Sequence, residues 1–285
     1  MHRPLSKAQY VALLITRKHF LVILASSISY LAVSLLDGAM VVGDFFLVPS
    51  AGLAVPLGIL FGHPAIFGVV LGVFVGDLLT SNLSIPSLLY TLSILLLAYL
   101  SYAFYRYGVG SAIVPGGGIL SSVGRFVFTA VIVCIAAAAF LAWGYELTWI
   151  SSFYVSFLTS FVEYLLATLL VATPIGIVAR RRRWPTYRVA RDASVASAGV
   201  HRLLLVAIPP TWAVLGSVGS VGFQIRETIP LMTFRQLGVE FLYHYVNPEI
   251  FGQGGRRAQV VFGALMLLLL LASVRKHQRE VTDDR

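Results

Sequence analysis

Apolar residues in this chain fall into blocks of 17 to 28, set apart by short polar breaks. A helix that crosses a bilayer needs about 20 such residues. The pattern predicts eight helices, over 19–36, 45–62, 64–80, 85–105, 123–143, 151–178, 202–222 and 258–274. Pro49 and Pro56 are expected to interrupt the second, because proline removes a backbone donor. The expected fold is all-α: a polytopic integral membrane helical bundle of about eight transmembrane helices, with both termini cytoplasmic.

The basic residues set that orientation. With a cytoplasmic N-terminus, 17 of the 21 Lys and Arg fall on the inner side. They include Arg180 to Arg183, Arg188, Arg191 and Arg202 between the sixth and seventh helices. Only Arg226, Arg235, Arg256 and Arg257 are left outside. This bias follows the positive-inside rule. Dropping the second helix would put Arg180 to Arg183 outside. The outer side collects acids instead, among them Asp37, Asp44, Asp77 and Glu146. A multi-pass protein of a prokaryotic-type cell membrane is expected. The first apolar run is 18 residues long with no small-x-small site before Asp37, so it reads as an uncleaved anchor.

Five segments follow from this map. Residues 1–18 form a cytoplasmic N-terminal segment, in which Tyr10, Leu13, Leu14 and Arg17 have the spacing of a short surface helix. Residues 19–178 form a six-helix membrane core, and 179–201 a basic cytoplasmic linker. Residues 202–274 form a two-helix membrane unit with an outer segment at 223–257. Within that segment an interfacial helix is expected at about 231–246. Residues 275–285 are a cytoplasmic tail. No internal repeat stands out, so an inverted-repeat transporter is not supported.

Composition narrows the class. Of the residues, 58% are hydrophobic and 12% charged, against about 25% charged in soluble domains. This excludes an ordinary soluble enzyme, a disordered chain and a disulfide scaffold. The net charge of +9 is distributed by topology and does not imply nucleic acid. The one cysteine, Cys134, lies in an apolar run and cannot form an intrachain disulfide.

Packing and chemistry can be sorted by spacing. Ala54, Gly58 and Gly62 recur every four residues, as do Gly68, Gly72 and Gly76. Each set makes a smooth helix face for close backbone approach. Joined only by Gly62-His63-Pro64, the second and third helices should form an antiparallel hairpin. Pro49-Ser50-Ala51-Gly52 suggests a broken helix near the outer surface, where freed carbonyls can line a wet cavity. Asp44 and Asp77 would then face an outward polar pocket; the alternative is two acids at headgroup depth.

Glu163 is the most informative residue. It lies near the centre of the sixth apolar block, where an acid costs about 3 kcal/mol to insert. Ser152, Ser156 and Thr159 precede it at helical spacing and Ser160 stands beside them, forming a polar stripe toward mid-membrane. The stripe could line a ligand or proton path, or Glu163 could simply bond to a neighbouring helix. Pro209-Pro210 should break the seventh helix and bring Thr211 and Trp212 toward Glu163. Glu240 and His244 have a metal-compatible spacing without a third ligand, and an exposed ion pair is the commoner reading. The glycine-rich loop from Tyr105 to Gly124 lacks the Gly-Lys-Ser/Thr of a phosphate loop. No nucleophile system is evident, so neither an enzyme activity nor a cofactor or metal is expected.

Pro49-Ser-Ala-Gly52-Leu-Ala54, followed by Gly62 and Gly72, resembles the opening of the eight-helix membrane-associated sensor (MASE-type) domains. The likeness is specific over about 32 residues and extends toward Ala172-Thr173-Pro174. It implies a membrane input module of a signalling system, in which a small ligand is bound and a partner informed. Family members usually carry a kinase or cyclase output domain, whereas only Arg275 to Arg285 follow the last apolar block here. Leu60-Phe61-Gly62 through Gly72 to Asp77-Leu78-Leu79 is also similar to the substrate-binding S components of energy-coupling-factor transporters. The leading expectation is a stand-alone sensor-like module that binds a small ligand from the outer side and signals through a separate membrane or cytoplasmic partner. The alternatives are a small-solute uptake component and a structural subunit of a membrane complex.

Overall fold

A computed structural model describes residues 7–37, 40–42, 45–80, 83–106, 119–181, 200–228 and 253–283. The described chain is helical apart from one short ribbon. Helix α1 runs over Lys7–Ser34. Strands β1 (Met40–Val42) and β2 (Phe45–Leu47) pair antiparallel, with Val41 opposite Phe46. Then come α2 (Pro49–Phe61), α3 (His63–Leu79), α4 (Ile85–Arg106) and α5 (Ile119–Leu147). Helix α6 (Phe153–Ala167) continues through a π-helical turn, Thr168–Ala172, into α7 (Thr173–Arg181). Helices α8 (Val200–Thr228) and α9 (Gln253–Asp283) complete the described elements.

Among the described residues, five stretches are long and apolar enough to cross a membrane: Ile85–Arg106, Val123–Leu147, Phe153–Val178, Leu203–Val221 and Gln259–Lys276. Helices α2 and α3 are shorter apolar helices.

The prolines act differently from expectation. Pro49 does not interrupt a helix; it opens one, in the first turn of α2. A proline fits there because the first-turn amides have no intrahelical acceptor. The expected helix over 45–62 therefore begins as strand β2 and becomes helical only at Pro49. Pro56 lies inside α2, and Pro209 and Pro210 inside α8, without ending either helix. The N-terminal residues 7–18 belong to α1 itself and form no separate surface helix. The expected interfacial helix at 231–246, Glu240 and His244, and linker residues 182–199 lie outside the described residues, as does 107–118 of the glycine-rich loop.

The chain divides into two compact units. The first comprises residues 1–106 and 166–192. Helix α2 is enclosed within it: 11 of its 13 residues are buried. The glycine faces of α2 and α3 do not meet each other. A Cβ on Gly58 would lie 2.5 Å from the Ala98 carbonyl oxygen of α4, and one on Gly52 would overlap the Ala167 carbonyl. On α3, a Cβ on Gly68 would overlap the Ile23 carbonyl of α1, and one on Gly72 would come within 2.8 Å of the Ser27 oxygen. Gly76 meets only the tip of Leu31, at 3.3 Å. Small residues thus let α4 approach α2 and α1 approach α3 closely. Gly62 alone connects α2 to α3, with φ of 67°. Glycine adopts that left-handed conformation without the Cβ penalty.

The second unit comprises residues 107–165 and 193–285. Its centre is α5, where Ala136, Ala137, Ala138 and Ala139 are all fully buried. Trp143 of α5 meets Trp212 of α8 edge to face at 6.2 Å, and its Nε1 donates to the Gln259 backbone oxygen of α9 at 3.3 Å. Gln259 Nε2 donates to Glu146 Oε2 at 2.6 Å and to the Gly216 carbonyl at 3.3 Å. One amide thereby ties α5, α8 and α9. The Phe153 amide, at the start of α6, donates to Ser220 Oγ of α8 at 3.1 Å.

Candidate functional site

Glu163 lies in the second unit, ten residues into the 26-residue apolar stretch Phe153–Val178. At 1.5 Å per residue that is about 15 Å along the helix axis from its start. The side chain is half-buried, at the flank of the face that α6 turns inward. Among the described residues its carboxyl has no hydrogen-bond or ion-pair partner. Its electrostatic neighbour is the half-buried phenol of Tyr145, on α5.

The surrounding positions divide by exposure. Ser156, Ser160 and Tyr164 are buried. The Ser156 hydroxyl bonds to that of Ser151 near the start of the helix. Thr159 is exposed and turns its Oγ1 back to the Val155 carbonyl at 2.8 Å. Ser152 is half-buried. Phe153, Phe157 and Phe161 stack along another line of α6, with centroids 5.9 and 5.8 Å apart. Trp212 is buried against Trp143, and Thr211 is exposed on α8. The π-helical turn begins five residues after Glu163. Such turns are rare and frequently accompany functional sites. A carboxyl with no partner among the described residues can accept N–H or O–H bonds from a small molecule, or carry a proton.

Two further acids, Asp44 and Asp77, were expected to line a pocket. Asp77, half-buried near the end of α3, accepts a hydrogen bond from Ser87 of α4, so its carboxyl joins two neighbouring helices. Asp44 lies outside the described residues.

A second polar cluster escaped the sequence reading. Asp37, in the turn after α1, accepts from the Ser50 backbone amide at 3.0 Å, and its other oxygen meets the Ser50 hydroxyl. Ser50 Oγ lies 3.2 Å from the Tyr30 hydroxyl, and Tyr90 of α4 bonds to both Tyr30 and Ser50. The carboxylate caps the start of α2, where unpaired amides and the helix dipole favour an acid. Burial pushes the Asp37 carboxyl above its ordinary 3.8, and the two Ser50 bonds pull the other way. Spacing could not reveal this cluster, because residues 30, 37, 50 and 90 meet only in three dimensions. Its local hint was a serine directly after the proline that opens a helix.

Among the described residues, no three His, Cys, Asp or Glu side chains gather as a metal site. Comparison with protein-family models, with curated proteins and with solved structures gave no match.

Proposed function

We propose that this chain is an eight-crossing membrane protein of the cell membrane that binds a small hydrogen-bonding ligand at Glu163 and conveys the bound state to a separate partner. The observation that carries this reading is a half-buried acid, inside a stretch long and apolar enough to span a membrane, with no hydrogen-bond or ion-pair partner among the described residues. Intramembrane acids are costly, and they mark substrate or proton pathways. The π-helical turn at Thr168–Ala172 adds support, because such a turn offers a place where a helix can change register. The resemblance of Pro49 to Gly72 to the membrane-associated sensor domains favours sensing.

Orientation is part of the proposal: both termini and the Arg180 to Arg202 segment lie on the cytoplasmic side. A Thr186→Cys variant in a Cys134→Ala background should label with a membrane-impermeant maleimide only after the membrane is opened. Labelling of intact cells would overturn the orientation.

The ligand test is a thermal-shift screen of the purified chain in detergent against amines, amides and polyols. A ligand at 100 times its Kd stabilises its target by about 2.7 kcal/mol. At least one compound is expected to shift the wild type and to leave Glu163→Gln unmoved. Equal shifts in both proteins would remove Glu163 from the site.

The similarity of Leu60 to Leu79 to S components favours uptake as the second reading. Counterflow of radiolabelled solute into liposomes separates the two, since a sensor binds without transporting.

A further inference from the structure

A basic and aromatic cluster lies at the joint of α2 and α3, within the first unit. Arg106 is the last residue of α4 and of its spanning stretch, and it is exposed. Its guanidinium carbon sits 5.7 Å from the centre of the Tyr102 ring. His63, the exposed first residue of α3, meets the same ring edge-on at 4.7 Å and stacks with Tyr99 at 6.2 Å. Gly62 brings the joint to the level of Tyr102, its Cβ position 3.1 Å from the ring. Arg106 acts electrostatically on His63. Among the described residues no carboxylate pairs with either side chain.

We propose that His63, Tyr99, Tyr102 and Arg106 form a seat for the phosphate of an anionic lipid headgroup. The guanidinium fork matches phosphate oxygens, and tyrosine rings are favoured at headgroup depth. The apolar surface next to the cluster argues for a lipid over a free anion. Phe67, Leu71 and Phe74 continue from His63 at helical spacing along α3, and they are 66%, 45% and 42% exposed. A headgroup at Arg106 would lay an acyl chain along that stripe.

The inference rests on reading α4 as a membrane span. The test uses the full chain in detergent, with melting followed as phosphatidylglycerol, phosphatidylcholine or inorganic phosphate is added. Phosphatidylglycerol should raise the melting temperature of the wild type more than phosphatidylcholine does, and inorganic phosphate should leave it unchanged. Arg106→Gln should weaken the apparent affinity for phosphatidylglycerol roughly fivefold, the loss of one basic contact at a membrane surface. Native mass spectrometry of the wild type needs no variant and should show phosphatidylglycerol retained over phosphatidylcholine. Equal effects of the two lipids, an unaltered affinity in Arg106→Gln, or a full response to inorganic phosphate would each overturn the seat. Extraction of the chain from membranes by alkaline carbonate would overturn the spanning reading as well, so the two failures are distinguishable.

Discussion

Gly52 of α2 stands directly against the Ala167 carbonyl, at the residue where α6 passes into its π-helical turn. The contact is backbone to backbone, so neither side can yield by turning a rotamer. A Cβ on Gly52 would force the two helices apart.

Gly52→Ala is therefore expected to destabilise the chain by about 1–3 kcal/mol, the usual cost of overpacking. Gly76→Ala is the control. Its new methyl meets only the flexible tip of Leu31 at 3.3 Å, and the melting temperature should stay within about a degree or two of the parent. Thermal unfolding in one detergent compares the two, and equal effects would contradict the close approach.

Asp37 gives a pH prediction. Its carboxyl is held above 3.8 by burial, so the folded chain binds that proton more tightly than the unfolded chain does. Its charge opposes folding at neutral pH, and the penalty fades as pH falls through the raised value toward 3.8. Asp37→Asn removes the titration. The melting temperature of the wild type minus that of Asp37→Asn should rise on acidification from about pH 7 to about pH 4.5. A difference that shrinks would mean that the Ser50 bonds outweigh burial.

Gln259 holds three helices through one side chain. Gln259→Leu should cost about 0.6–1.7 kcal/mol, the range measured for hydrogen bonds between membrane helices. Gln259→Glu should cost more, because a second carboxyl would then face Glu146, the acceptor at 2.6 Å. Equilibrium unfolding in mixed detergent ranks the two variants.

Glu163→Leu should stabilise the chain by about 1–3 kcal/mol, because it removes an acid from apolar surroundings. It should also abolish any ligand-induced shift. That combination separates a residue kept for binding from one kept for packing. A destabilised Glu163→Leu would assign the carboxyl a structural partner.

The apolar blocks made most of the helices legible, since length and composition alone mark a spanning stretch. Every-fourth-residue glycines also revealed which faces approach another backbone. They could not reveal which backbone: Gly58 meets α4 and Gly72 meets α1, although chain adjacency suggested the hairpin itself. Pro49, Pro209 and Pro210 look like breaks because their lost donors are visible in sequence. Whether each falls in a first turn or inside a supported helix depends on the fold. The π-helical turn was invisible, because Thr168-Leu169-Leu170-Val171-Ala172 carries no local signal for a wider turn. Faces assigned across it with an unbroken 3.6-residue period drift out of phase. At Glu163 the place within a long apolar helix was legible, whereas the exposure of Thr159 and the pairing of Trp212 with Trp143 were set by tertiary packing.

Helix α2 has 13 residues, and at 1.5 Å per residue it covers about 20 Å. The hydrocarbon core is about 30 Å thick. A lipid-facing helix of that length would suffer hydrophobic mismatch. Enclosure spares α2, because 11 of its 13 residues are buried against protein neighbours. Helices α1 and α3 present Phe20, Ile28 and Phe67 outward instead, so they meet what surrounds the first unit before the element they help to enclose does.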